Sequence, residues 1–234
     1  MRTVTDAEIV GWIGRLGAVG VEHVATGFEM ERGVARERLV CLQKAGVLGS
    51  AERRDDRRSL YWASTAGLSE CGLDRLGSWP YVLQGFDHAW QTAQVAVELM
   101  RGLPEWGVLS AREIAAIEAD SGEPFASVRI GEAGHRMAHL PALVLCSPLA
   151  RVVPVEVEPR LGTASSLLSV CRGWARARHV SRVYWLAQVG PGLAVHRAVR
   201  DARASDRVTV LELDDVSLLV ASECAREDAS DALL

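Results

Sequence analysis

HLPALVLCSPLARVVPVEVEP, residues His139 to Pro159, decides how the second half of this chain is read. The spacing predicts two apolar strands, Ala142–Cys146 and Val152–Glu158, joined by a short turn. Glu156 and Glu158 interrupt the valine-rich second strand. Side chains two apart on a strand share a face, so these carboxylates point the same way. Desolvating two neighbouring like charges is costly, so such a pair needs a cation, a basic partner or water. Arg151 and Arg160 are near enough in sequence to serve as that partner. His139 reads either as a nitrogen ligand or, like His135, as ordinary polar surface.

Working outward, a helix is expected from Thr163 to Arg178, with Ala164, Leu167, Leu168, Cys171 and Trp174 inward and Arg172 and Arg176 outward. Strands are expected at Arg182–Ala187 and Arg207–Leu213. Gly190–Gly192 reads as a turn and Gly192–Ala204 as a mixed segment. Upstream, Asp87 or His88 opens a long helix to about Arg101, with Ala89, Ala93, Ala96 and Val97 on one face. Trp106–Ile114 fits strand or helix, Ala119–Phe125 reads as loop, and Ser127–Ile130 as a short strand. Alternation of this kind predicts a sheet layered with helices.

The first eighty residues have a different pattern. Thr5 and Asp6 cap a helix to about Leu16, a second spans roughly Val19–Thr26, and a third runs from Met30 to Ala45. Ala35, Leu39 and Leu42 give the third helix a buried face, and Gly46 supplies a positive-φ cap. A hairpin turning at Asp55–Asp56 follows. Three helices and a basic hairpin describe a winged helix-turn-helix. RERLVCLQKAGVL resembles the end of a recognition helix in bacterial regulators, and STAGLSECG resembles the close of a bacterial wing. Between Arg32 and Arg58 there are eight basic and four acidic residues. Arg32 and Arg36 are expected on the outer face of the third helix, with Arg38 and Lys44 adding charge. Arg53, Arg54, Arg57 and Arg58 crowd the hairpin tip, where phosphates are reachable. The competing reading is a solvated face on a protein-docking module, which Glu29, Glu31 and Glu37 favour.

The bulk properties restrict the function classes. With 234 residues, 49% hydrophobic and 24% charged, the chain has material for one large or two smaller domains. The net charge of −4 means that any nucleic-acid signal is local. There are 25 arginines and a single lysine, Lys44. Five scattered cysteines without a CxxC pair argue against a disulfide framework or zinc knuckle. No signal peptide or long apolar run is visible, so a cytoplasmic protein without a membrane partner is expected. No HExxH, nucleotide-binding glycine loop or serine–histidine–acid order occurs.

A helix, three strands, a helix and a strand, with acids on the later strands, resembles the restriction-endonuclease-like fold. Together with a winged helix and a histidine near the start of the bridging helix, the chain resembles the replication-relaxation family of actinobacterial plasmids, integrative elements and phages. The resemblance implies a winged helix-turn-helix over 1–76, a linker over 77–86 and a restriction-endonuclease-like α/β domain over 87–221; the acidic C-terminal tail over 222–234 reads as a short helix or frayed end. The family's proline falls on Pro141, its aspartate on Ala142, its acidic pair on Glu156 and Glu158, and its helix-start histidine on His88. Ala142 cannot ligate a cation, Glu158 stands where a lysine is expected, and no lysine follows Lys44. Phosphodiester cleavage needs a divalent ion with several oxygen ligands, so a vestigial site at His139, Ala142, Glu156 and Glu158 is expected, with no catalytic residue and no cofactor. Mg²⁺ or Mn²⁺ enters only under the alternative of a weak nuclease or nickase. The expectation is a sequence-specific regulator binding double-stranded DNA, acting as a homodimer, with a protein-interaction module as the third reading.

Overall fold

The computed structural model describes residues 4–53, 55–77, 79, 85–131, 137–158, 160 and 163–231, with side chains described as far as residue 227. The chain is mixed α and β and divides into two compact units, Met1–Val97 and Glu98–Leu234.

The first unit begins with α1 (Asp6–Leu16), whose N-terminus carries the reciprocal Thr5–Glu8 capping box. Helix α2 (Val21–Gly27) starts two residues later than the pattern predicts. Val19 is diverted into a β-bridge, exchanging both backbone hydrogen bonds with Tyr61 at 2.9 and 2.8 Å. Helix α3 (Arg32–Lys44) buries Ala35, Leu39 and Leu42, as its spacing predicts, and Gly46 follows with φ +80°. Strands β1 (Leu48–Glu52) and β2 (Ser59–Ala63) pair antiparallel from Leu48↔Ala63 to Glu52↔Ser59. The Val19 bridge adds a third lane to this hairpin. In the STAGLSECG segment that follows the hairpin, Ser64 caps helix α4 (Thr65–Glu70).

Residues 86–97, expected to open the second domain, belong to the first unit. They form most of α5 (Phe86–Gly102), and the division falls inside this helix between Val97 and Glu98. Phe86 and Ala89 share a buried cluster with Ala18 and Leu60, flanked by Trp62, Trp79 and Trp90. Sequence periodicity marks the helix but not its partner. Residues 78 and 80–84 of the expected joint lie outside the described residues.

The second unit is built on a five-stranded sheet in the order β3 (Gly107–Ser110), β6 (Leu143–Cys146), β7 (Val152–Glu158), β8 (Val183–Ala187), β9 (Val208–Glu212). The first three strands run antiparallel, and β7, β8 and β9 are parallel. A separate hairpin, β4 (Val128–Ile130) with β5 (Met137–His139), stands beside α7 (Ala164–Arg176). Glu156 pairs with Trp185 across β7 and β8, and both face the core formed with α7 and α8 (Val189–Asp201). The opposite face presents Tyr184, whose hydroxyl donates to Glu223 at 2.7 Å on the last helix, α9 (Val216–Asp231).

Several expectations need correction. The segment 106–121 resolves into β3 and α6 (Ala111–Ser121), because Ser110 and Glu113 form a capping box at the junction; α6 ends at Gly122, φ +70°. The helix thus claims the start of the expected 119–125 loop. Gly190–Gly192 is not a turn but the first turn of α8 (Val189–Asp201), where Pro191 needs no N–H acceptor. Ala164 is exposed, not inward. Residues 222–231 are not a tail: α9 includes them, and Glu223 is among the most buried polar groups.

Gly67 and Gly33 give opposite expectations. A Cβ on Gly67 would lie 2.2 Å from the Val47 carbonyl oxygen, whereas Gly33 faces open space. Gly67→Ala should therefore destabilise by about 2–3 kcal/mol despite alanine's helix propensity. Gly33→Ala should stabilise by about 0.5–1 kcal/mol. Denaturant titration of each variant checks both signs.

Candidate functional site

In the first unit the basic residues divide into spent and open charges. Arg38 turns inward along α3 to pair with Asp6, its Nε donating to the carboxylate at 2.9 Å, and Nη1 donating to the Val4 carbonyl at 3.0 Å. Arg32 pairs with Glu22 on α2. Arg36 and Lys44 are exposed on the outer face of α3, beside Gly33, Val34 and Gln43. This face is basic and open, with Glu37 at its edge.

The hairpin arginines are arranged differently from the expectation of a free tip. Arg53 and Arg58 fold back to Asp87 on α5, Arg53 in close contact and Arg58 at 3.5 Å. The Arg58 guanidinium lies 4.9 Å over the Trp90 ring and 5.9 Å from Phe86, while Arg53 is also 5.9 Å from Phe86. Phe86 and Trp90 are one helical turn apart, so both rings reach the same side of α5 and stack at 6.2 Å. Only Arg57, in the left-handed region at φ +55°, projects outward; Arg54 lies outside the described residues.

His23 completes this cluster. Its Nδ1 accepts the Gly20 N–H at 2.8 Å, capping α2, and its ring sits 4.6 Å from Trp90. Burial first, and the Arg58 charge after it, pull its pKa to about 4, against a hydrogen bond to Gln94 that raises it. The histidine is thus neutral near neutrality, with its proton on Nε2. Sequence reading missed Asp87, Phe86, Trp90 and His23 as arginine partners. The density of aromatic residues around the joint was the available signal.

In the second unit, Glu156 is 6% exposed. Its Oε1 accepts the Trp174 indole N–H at 2.9 Å and meets His139 Nε2 at 2.7 Å. Trp174 comes from α7 and His139 from the end of β5, so three elements converge on one carboxylate oxygen. Arg151 does not take part. It pairs with Glu227 at 3.8 Å and lies 5.5 Å over Trp106. Arg160 and His88 are both exposed.

Burial opposes protonation of His139, but the Glu156 charge, its hydrogen bond and the Glu158 charge outweigh it and raise the imidazole above 6.5. Burial and the Glu156 charge push Glu158 up to about 7, against a smaller opposite effect of His139. The two glutamates therefore sense each other, as neighbours on one strand face must. Burial and Glu156 also push the Cys171 thiol to about 12, which removes it as a nucleophile.

A hard divalent cation does not suit this arrangement. Glu156 Oε1 is occupied by two nitrogen partners, Ala142 offers no side-chain ligand and Glu158 is held toward its neutral form. Among the described residues, no three His, Cys, Asp or Glu side chains are grouped to hold a metal ion. Among them, too, no helix is long and apolar enough to cross a membrane. Comparison with known protein families, curated proteins and solved structures returned no match.

The titrations make the stability of this unit depend on pH. Unfolded Glu158 titrates near 4.5 and folded Glu158 near 7, so its proton-linked stability is complete below 4.5 and lost as pH rises through about 7. The raised His139 acts in the same direction, its contribution being full below 6.5 and lost above. His23 acts oppositely in the first unit, its contribution being lost as pH falls from 6.5 through about 4. Denaturation across this range should show the second unit weakening toward alkaline pH. Glu158→Gln should flatten that dependence and raise the melting temperature at alkaline pH.

Proposed function

We propose that this chain is a sequence-specific DNA-binding protein, a regulator of transcription or of plasmid or mobile-element replication. In this reading Met1–Val97 is a winged helix-turn-helix whose recognition helix is α3. The observation that carries it is the outer face of α3, where Arg36, Gln43 and Lys44 stand exposed over a closed apolar face. The order α1, Val19 lane, α2, α3, β1, β2 supports it, since it places a hairpin wing after the candidate reading helix.

The second unit is assigned a restriction-endonuclease-like fold without a cleaving role, serving dimerisation or contact with a protein partner. The support is its order: the end of α5, the antiparallel strands β3, β6 and β7 with α6 and the β4–β5 hairpin inserted after β3, then α7 and β8 parallel to β7. The occupied Glu156 carboxylate and Ala142 favour the non-cleaving reading over a nuclease. Kinship with the replication-relaxation family belongs to the same proposal and rests on the same features. Supercoiled plasmid incubated with Mg²⁺ or Mn²⁺ should remain uncut; cleavage lost in Glu156→Ala would instead establish the enzyme.

Selection of bound fragments from a random duplex pool should return a sequence preference that Arg36→Ala alters. Affinity should fall steeply with salt, by about 0.9 decades per decade of salt for each neutralised phosphate. Salt-independent binding, or none, overturns the reading.

The wing adds a sharper expectation. Asp87 competes with phosphate for Arg53 and Arg58, so Asp87→Asn should raise duplex affinity several-fold and steepen the salt slope by about 1–2. The released ion pairs should cost the first unit about 1 kcal/mol. Unchanged affinity with lowered stability would leave the two arginines a purely structural role.

A further inference from the structure

Two neighbouring cavities on the second unit are not used by anything above. The first, about 600 Å³, lies between the C-terminal end of α6, the loop before β4 and the C-terminal half of α7. The second, about 610 Å³, lies by the β6–β7 turn and the start of β9. Arg178 and His179 line both, forming the ridge between them.

The charge is predominantly basic. Arg129, Arg176 and Arg178 are exposed on the first cavity, and none has an acidic partner among the described residues. Arg151 and Arg207 line the second. Of the acids present, Glu118 is spent on its own wall: its Oε1 accepts the backbone N–H groups of Phe125, Ala126 and Ser127 at 2.8, 2.9 and 2.8 Å. Glu123 and Asp206 remain on the two rims.

Both walls are braced. Glu118 fixes the loop before β4, and Arg207 fixes the segment carrying Arg178 and His179 by donating to the carbonyls of Ala177 and Val180, the latter at 2.6 Å. A Cβ on Gly173 would lie 3.0 Å from Val128, so the glycine lets α7 approach β4 and brings Arg176 and Arg129 to one rim. Guanidinium groups on fixed supports lose little freedom on binding, which favours recognition of phosphate.

We propose that this face binds the sugar-phosphate backbone of duplex DNA, as a sequence-independent contact separate from the α3 face. Two basic cavities sharing a ridge suit successive phosphates better than one isolated anion. Among the described residues no Phe, Tyr or Trp lines either cavity, and single strands need such a stacking platform. The inference deepens the DNA-binding reading and rests on it.

The test uses the full chain carrying Arg129→Gln, Arg176→Gln and Arg178→Gln together, with Arg207 left in place to hold the loop. Duplex affinity is measured across a salt series on the selected sequence and on a scrambled one. The slope of log affinity against log salt should fall by about 2–3, with at least about tenfold weaker binding near 0.1 M salt on both duplexes, at unchanged melting temperature. An unchanged slope while the wild type binds normally overturns this inference and leaves the α3 reading standing. A loss confined to the selected sequence also overturns it, as does equal retention of polyglutamate, which would assign the face to an acidic protein. Absence of duplex binding by the wild type overturns both.

Discussion

A buried carboxylate must find donors, and the second unit is arranged around that requirement at Glu156. An uncompensated carboxylate inside a sheet costs several kcal/mol. Trp174 and His139 meet the cost by converging on Oε1, which fixes α7 and the end of β5 against β7. The same two contacts close the strand face on which a metal-dependent nuclease would need open oxygen ligands. With both contacts on Oε1, Glu156 is a point of packing for three elements. The titrations of His139 and Glu158 beside it appear as pH-dependent stability.

Positive charge is subject to the same discipline. Arg38 is used to hold α3 to the N-terminus of α1, and Arg53 and Arg58 to hold the hairpin on α5. Stacking on Phe86 and Trp90 makes these more than surface ion pairs. The local excess of base over acid in the sequence therefore overstates the field that a partner meets. Among the described residues of α3 and the hairpin, Arg36, Lys44 and Arg57 stay open. The second unit adds the exposed arginines around Arg178, which no linear motif marks.

The helices of the first unit were legible because each depends on local periodicity and caps: Thr5 with Glu8, the Ala35–Leu39–Leu42 face, and Gly46. The same holds for β6, β7, β8 and β9, whose apolar runs match their strands closely. Readings failed where a distant partner intervened. Val19 left α2 for Tyr61, and residues 86–97 joined the first unit through Phe86 and Ala89; the acidic C-terminal segment, open between a short helix and a frayed end, is the close of α9, with Glu223 buried against Tyr184. At 190–192, composition misled, because glycine and proline mark a turn only where the backbone needs an N–H that proline lacks.

For the candidate sites the division is sharper. Residue identity alone shows that Ala142 carries no ligating side chain and that no lysine follows Lys44, and strand alternation alone put Glu156 and Glu158 on one face. Those conclusions need no coordinates, because they follow from which atoms a side chain has and from the two-residue period of a strand. Only the tertiary structure assigned Trp174 and His139 to Glu156 and Asp87 to the hairpin arginines. These partners lie 17 to 34 residues apart in the chain. Pairing at that separation is set by how helices and strands pack, and no local period encodes it.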